Sequence, residues 1–245
     1  MKRRWWVGGV LMLLLLAGAA PGAARDHGYR NGRYRSDRYT PDNSVRLRLG
    51  LFTPDGKSDY FRDAERDFTG NAKDLEDIVG GLDWVHQFQG PLGFMLSADF
   101  FQGKNDQSYR NFTDNRGREI VHTTTLEITP VTAGLVFQLA PERSPVIPYV
   151  GAGGGVYAWK LRESGDFIDF TTPQREIFTD TNQDDGAALG YYVLAGLEVP
   201  IGSYFSFFAE GRWDRADDKL SKDLAGLGTV DLSGRRVTGG VAWHF

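Results

Sequence analysis

Alternation of apolar with small or polar residues from residue 44 to the end of the chain constrains its fold more than any other feature. The last stretch, VTGGVAWHF, places Val237, Val241 and Trp243 on one face and Thr238 and Ala242 on the other. A period of two residues is typical of a β-strand whose two faces meet different surroundings. The period recurs in eight segments, which are residues 44–52, 77–88, 92–101, 126–139, 147–159, 188–199, 204–215 and 237–245. These segments predict an all-β fold.

The connections between the segments alternate in length. Short ones lie near residues 89–91, 140–145 and 201–203, whereas polar stretches of 14 residues or more separate the other pairs, at 55–76, 103–122, 161–186 and 216–229. Short turns at one end and long loops at the other are typical of membrane barrels. The sequence therefore predicts an antiparallel eight-stranded up-and-down transmembrane β-barrel over 44–245, with short periplasmic turns and long extracellular loops. A soluble barrel is the alternative, but large aromatic residues near the strand ends favour two interfacial girdles.

The N-terminus has the features of an export signal. Basic residues at positions 2–4 precede an apolar run that is too short to span a bilayer as a helix, and small residues lead to Ala24. We expect a signal peptide over 1–24, cleaved near Ala24, and export to the cell outer membrane. Residues 25–43 contain five Arg and three Tyr, and we expect them to form a disordered periplasmic leader. The net charge of −4 gives no reason to expect nucleic acid as a partner.

Charged residues on the polar face of the strands predict a network inside the barrel. Five acids and four arginines fall there, and their near-balance favours ion pairs that plug a narrow interior over a selective pore. The predicted lumen network comprises Arg46, Arg48, Asp83, Asp99, Glu198, Glu210, Arg212, Asp214 and Arg236.

Two strands raise questions of local geometry. Leu126 and Ile128 are out of phase with the apolar residues that follow Pro130, which predicts a β-bulge near that proline. The fifth segment is rich in glycine on its polar face, at Gly151, Gly153 and Gly155. Those glycines either relieve crowding in a filled interior or surround a cavity for a small apolar molecule.

Catalytic and metal sites are weakly supported. The chain has four histidines and no recognisable serine–histidine motif, so no catalytic residue is predicted. The stretch DTNQDDG begins like a calcium loop, but Asp185 and Tyr191 stand where glycine and glutamate are needed. We therefore expect an acidic surface loop there, with no metal and no cofactor.

The C-terminal GGVAWHF and the PYVGAGGGVY stretch that follows ITPVTAGLVFQL resemble small eight-stranded Gram-negative outer-membrane barrels of the OmpW/OmpA-like kind. We expect no appended periplasmic domain. The resemblance implies that Val241, Trp243 and Phe245 form the signal read by the outer-membrane assembly machinery. It also implies outer-membrane lipid and lipopolysaccharide as partners.

The expected function is that of a non-enzymatic barrel that supports envelope integrity, with binding or passage of a small hydrophobic solute. Passage is suggested by the resemblance, and we expect the stretch 162–186 to fold over the extracellular mouth and control it through Phe167, Ile168 and Phe170. The alternatives are surface adhesion or recognition through the loops, and a lipid-modifying enzyme, which a serine–histidine contact on the outer wall would favour.

Overall fold

The computed structural model describes residues 42–141, 144–170 and 175–245. The predicted signal peptide and nearly all of the predicted leader lie outside these residues and stay predictions. The first strand begins at Asn43, one residue before the predicted start of the barrel, and Asn43 pairs with His86.

The described residues form nine strands, one α-helix and one 3₁₀ helix. Four strands are 20 to 25 residues long, far longer than the 9–11 residues that a barrel strand needs to cross a bilayer. In chain order the elements are β1 (Asn43–Pro54), α1 (Asp59–Asp67), the 3₁₀ helix (Ala72–Leu75), β2 (Asp77–Gln87), β3 (Leu92–Thr113), β4 (Glu119–Gln138), β5 (Ile147–Ile168), β6 (Ile177–Ile201), β7 (Phe205–Lys219), β8 (Thr229–Asp231) and β9 (Gly234–His244).

Eight of the strands close into an antiparallel barrel, which confirms the predicted fold class. Each of β1 to β6 pairs with the strand that follows it, and β9 pairs with both β7 and β1, which closes the ring. The short β8 lies outside this ring and pairs with the end of β7. We call the end with the connections β2–β3, β4–β5 and β6–β7 the turn end, and the opposite end the hairpin end.

The two faces of the wall differ as the alternation predicts. On β1, Arg46 and Arg48 point inward and are buried, while Leu47 and Leu49 point outward and are 63% and 62% exposed. On β9, Val237 and Val241 are on the outside and Ala242 is on the inside. An exposed apolar wall is unstable in water and suits contact with lipid acyl chains. The barrel is therefore a transmembrane one.

No bulge occurs at Pro130, so that prediction was wrong. The register between β4 and β5 runs without a shift from His122 to Gln138, and Pro130 itself points inward and is buried. Leu126 and Ile128 point inward as well. The change of phase in the sequence thus reflects a change in the interior. Towards the turn end the ion pairs lie beside a small apolar cluster that includes Val85, Met95 and Val136, whereas Leu126 and Ile128 belong to the larger apolar core near the hairpin end.

The polar stretches 103–122 and 161–186, which were predicted as long loops, are mostly strand. Strands β3 to β6 continue past the apolar belt, so that the connections are reduced to residues 114–118 and 169–176. Phe167 pairs with Phe178 across the β5–β6 hairpin, and Ile168 packs with Tyr109 and Ile120 of the neighbouring hairpin. The expectation that stretch 162–186 folds over the mouth is therefore wrong.

Residues 55–76 and 220–233 fill the mouth instead. Tyr60 and Phe61 of α1 and Leu75 of the 3₁₀ helix pack on inward-facing Phe101 and Leu161 in one apolar core. Leu224 and Leu232 from the stretch before β9 join the same core. We call these two segments the cap. None of the helices among the described residues has the length and apolar character needed to cross a membrane.

Candidate functional site

The nine charged residues singled out from the sequence all lie inside the barrel and are buried. They come from β1, β2, β3, β6, β7 and β9, so the closed ring brings together side chains up to 162 positions apart in the chain. Buried charges are costly unless they are paired and hydrogen-bonded. The contacts that each one makes therefore decide what the interior can do.

Arg48 is the centre of this network. Its guanidinium lies 2.7 Å from Asp99, 3.0 Å from Asp83 and 3.4 Å from Glu210. A planar group with five N–H donors can serve several carboxylates at once, which a lysine cannot do in the same geometry. The side chain of Arg48 is 2% exposed, so a single buried cation interacts with three buried carboxylates.

A second group of ion pairs lies next to the first. Arg236 pairs with both Asp99 and Asp214, the latter at 2.9 Å. Arg212 contacts Asp214 at 3.1 Å and donates a hydrogen bond to the Thr132 hydroxyl at 3.1 Å. Because Asp99 also contacts Arg48, the two groups form one continuous network.

Arg46 and Glu198 form a third unit towards the turn end. Their side chains are 2.6 Å apart, and Glu198 also accepts a hydrogen bond from Ser206 at 2.6 Å. The His244 ring lies 3.1 Å from the same carboxylate. Glu198 is therefore held from three sides.

Tyrosines complete the polar interior, and the sequence analysis did not include them in the network. Tyr149 donates to Glu210 at 3.0 Å and Tyr157 donates to Asp214 at 2.7 Å. The guanidinium of Arg212 lies 3.6 Å from the ring centre of Tyr192, which is a cation–π distance. The signal that could have identified these residues is their alternation with glycine on the inward face of β5 and β6.

The inward glycines make room for these rings. A Cβ on Gly196 would lie 2.4 Å from the Tyr149 ring, and one on Gly153 would lie 2.3 Å from the Ala133 carbonyl oxygen. On Gly155 it would lie 2.1 Å from the carbonyl oxygen of Val131. Real Cβ atoms do not approach so closely, so the glycines are required by packing at these positions.

Some polar atoms of the interior have no hydrogen-bond partner from the described protein atoms. They include Asp83 Oδ2, Asp214 Oδ2 and Arg212 Nη1. Buried polar groups are hydrogen-bonded in nearly all proteins, often to internal water. At these atoms the protein groups of the network do not satisfy one another completely.

A separate polar chain lies between the cap and the extended strands. Tyr60 of α1 donates a hydrogen bond to Glu163, and Gln107 bridges His122 and Thr124 at 2.9 and 2.8 Å. Burial raises the pKa of Glu163, although the hydrogen bond from Tyr60 opposes that shift. Burial lowers the pKa of His122 to about 4, so its ring is neutral at pH 7.

A serine–histidine contact is present, but its geometry does not suit catalysis. Ser206 Oγ lies 2.9 Å from His244 Nε2, and Glu198 contacts that same nitrogen. In a catalytic triad the acid holds Nδ1 and leaves Nε2 for the serine. Ser206 is also 1% exposed on the inner wall, whereas a lipid-modifying enzyme needs its nucleophile where lipid can reach it.

The DTNQDDG stretch lies within strand β6 and pairs with β5, so the expectation of an acidic surface loop was wrong. Asp184 is fully buried and accepts hydrogen bonds from the backbone N–H groups of Ser221 and Lys222. Its role is to anchor the second segment of the cap to the barrel wall. Across the described ranges, no cluster of three or more histidine, cysteine, aspartate or glutamate residues could hold a metal ion.

The predicted assembly residues lie at the end of the last strand. Val241 and Trp243 are on the outer face, 40% and 51% exposed. Trp243 pairs across strands with Phe205, which is also exposed on the outside. The pair forms part of an aromatic belt at the turn end.

No protein-family model and no curated protein matches the chain. Solved structures with a similar fold include OprG from Pseudomonas aeruginosa, at 16% identity, 84% coverage of this chain, 96% of that one and a TM-score of 0.48. Neisserial surface protein A matches at 13% identity, 83% and 97% coverage and a TM-score of 0.47. Ail, the attachment invasion locus protein of Yersinia pestis, matches at 16% identity, with 83% of this chain and 96% of that one covered and a TM-score of 0.41. At such values the fold rests on the strand pairing of the chain itself, which is that of a closed antiparallel barrel of eight strands.

Proposed function

We propose that the chain is a non-enzymatic outer-membrane barrel whose plugged interior does not conduct ions and which supports the integrity of the envelope. The observation that carries this proposal is the continuous network around Arg48, Asp99 and Asp214, in which every charged group is buried. Ions cross a pore along a wet path lined by accessible charge, often of one sign. Here opposite charges are paired across the interior.

Two further features support a closed barrel. The cap covers the hairpin end with an apolar core that includes Phe61, Leu75 and Leu224. The inward glycines allow tyrosine rings to fill the middle of the barrel. Passage of a hydrophobic solute through the interior would require the cap and the ion pairs to move together.

The orientation follows from the N-terminus and the strand count. A predicted export signal precedes β1. Because the barrel has an even number of strands, the start of β1 and the end of β9 both lie at the turn end, where Ser44 pairs with His244. The turn end then faces the periplasm and the cap and long hairpins face outward. In this orientation Val241 and Trp243 lie on the outer face of the last strand near its periplasmic end.

The test measures conductance and envelope integrity separately. The mature chain, reconstituted in planar bilayers, should give no stable conductance steps, whereas steady steps would contradict the closed interior. A strain that lacks the protein should become more sensitive to bile salts and large antibiotics, and the complete chain should restore resistance. If the strain is unaffected, the role in envelope integrity is wrong even if the barrel is closed.

Surface recognition is the second candidate function. The β5–β6 hairpin extends beyond the belt and exposes Phe170, Ile177 and Phe178, and exposed apolar groups on a protruding element are typical of interaction sites. Replacing Phe170 and Phe178 by serine should abolish attachment to host cells or matrix if this function holds. Unchanged attachment would exclude those residues as the recognition surface.

A further inference from the structure

Three basic residues surround one carboxylate on the outer wall near the hairpin end. Asp55 Oδ2 lies 3.4 Å from Lys57 Nζ and 4.0 Å from Arg215 Nη1, and Asp55 Oδ1 lies 3.9 Å from Arg235 Nε. Charge-assisted hydrogen bonds are about 2.7–2.9 Å long. Asp55 therefore attracts the three cations without forming short hydrogen bonds to them, so their N–H groups can still donate to another anion.

The charge that faces outward from this group is positive. The side chains of Lys57, Arg215 and Arg235 are 61%, 50% and 69% exposed, whereas that of Asp55 is 17% exposed. Two other acids are near. Asp231 is buried and accepts hydrogen bonds from the backbone N–H groups of Lys57 and Ser233 at 2.8 and 2.9 Å, and exposed Asp217 lies beside Arg215 on the outer face of β7.

The group stands at the border of the lipid-facing belt. Arg215 pairs across strands with Tyr191, and Arg235 pairs with Trp213. Tyr191 and Trp213 are exposed on the outer face, and Val237, two residues from Arg235 towards the turn end, is 71% exposed. Aromatic residues sit at the interface of a bilayer, so the guanidinium groups lie at the level of lipid headgroups.

An open groove joins the cations to the apolar wall. It has a volume of about 350 Å³, and its lining includes Lys57 and Arg215, the side chains of Leu189 and Tyr191, and the carboxylates of Asp217 and Asp231. Leu189 is 83% exposed. Asp231 is already engaged by the backbone N–H groups of Lys57 and Ser233, so Lys57 and Arg215 stay available to an anion. Their position next to Leu189 and Tyr191 fits an amphipathic anion, whereas a soluble anion would make no use of these apolar side chains.

We propose that Lys57, Arg215 and Arg235 bind a phosphate group of lipopolysaccharide, with an acyl chain lying along Leu189 and Tyr191. Arginine binds phosphate through paired N–H groups, and the two arginines stand on adjacent strands with diagonal positions on the outer face. The inference rests on the proposed function, because it requires the hairpin end to face the outer leaflet. It extends that function by naming the residues that anchor the barrel in this leaflet.

The test uses the mature chain in lipid nanodiscs and measures binding of lipid A, the phosphorylated glucosamine lipid of lipopolysaccharide. The double variant Arg215→Gln/Arg235→Gln should bind about tenfold more weakly or worse, since each lost charge-assisted contact is worth at least about a factor of ten. The control Lys104→Gln/Arg162→Gln removes equal charge from exposed positions on β3 and β5 and should bind nearly as wild type. Lys57→Gln alone should give an intermediate loss and leaves the strands unchanged.

The remaining arms identify the ligand and separate this inference from the proposed function. Lipid A without its phosphates should not bind, and phosphatidylglycerol should bind more weakly than lipid A. Equal loss in the control, no loss in the double variant, or preference for phosphatidylglycerol would overturn the inference. Conductance of the same samples tests the interior independently, because neither arginine contacts the ion-pair network. A conducting wild type would therefore contradict the closed barrel and leave the lipid result standing.

Discussion

Replacing Arg48 by methionine tests the closed interior most directly. Methionine approximates the length of the arginine side chain but removes the only charge that contacts Asp83, Asp99 and Glu210 together. Asp99 keeps Arg236, and Glu210 keeps the Tyr149 hydroxyl. No ion pair of Asp83 other than that with Arg48 is seen among the described residues.

The structure sets the size of the expected effect. Removing one partner of a buried ion pair typically costs about 3–5 kcal/mol, because the other charge is left without compensation. The same substitution at an accessible pair costs about 0–1 kcal/mol. Since Arg48 and its partners are at most 2% exposed in their side chains, we expect the larger value for Arg48→Met.

Urea unfolding of the barrel in lipid vesicles, followed by tryptophan fluorescence, measures this loss. The double variant Arg48→Met/Asp83→Asn should recover at least about 1 kcal/mol, because it removes the carboxylate left alone. The control Arg162→Met alters an exposed arginine whose partner is Gln183 at 3.2 Å and should change stability by less than about 0.5 kcal/mol. A loss below about 1 kcal/mol for Arg48→Met would mean that water solvates these charges and that the interior is open.

Two further predictions concern packing and pH. Gly155→Ala should destabilise the barrel by about 1–3 kcal/mol, since the new Cβ would lie 2.1 Å from the Val131 carbonyl oxygen. The control Gly80→Ala should be tolerated, because the nearest contact of its new Cβ is 3.7 Å away. Heat-dependent migration in gels compares the stability of the two variants, and equal stability would contradict the packing role of Gly155. Because burial lowers the pKa of His122 to about 4, the unfolded chain binds a proton that the folded chain does not between pH 6.5 and 4, and stability should fall as the pH falls through that window. Glu163, with its raised pKa, opposes this trend above pH 4.5, so the contribution of His122 has to be isolated with the variant His122→Gln. The urea midpoint of wild type should fall more between pH 7 and pH 5 than that of His122→Gln. An equal fall in both proteins would show that the histidine is solvated.

The sequence by itself determined which residues face inward and outward in the barrel wall, because this depends only on alternation along each strand. Successive side chains of a strand point to opposite faces, so each alternating segment shows which residues share a face without knowledge of its neighbours. The membership of the ionic interior, from Arg46 on β1 to Arg236 on β9, follows from that alternation. The even count of strands and the alternating connection lengths then indicate an up-and-down barrel.

The sequence did not show where the interior changes character. Leu126 and Ile128 suggested a bulge because apolar residues were expected on the lipid face only. In the structure they point inward and meet the cap, whose Tyr60, Phe61 and Leu75 come from a stretch that looked like a polar loop. A stretch with few apolar residues can still bury most of them when it packs inside a closed wall.

Only the tertiary structure decided which charges meet and what covers the mouth. Asp99 contacts Arg48 and Arg236 because β3, β1 and β9 face a common interior, and contacts across a barrel depend on tilt and register that alternation does not encode. The cap likewise depends on anchors such as Asp184, which looked like a surface ligand and instead holds the backbone of Ser221 and Lys222. Local periodicity fixes the face on which a side chain lies, whereas its partner on that face is set by closure of the whole sheet.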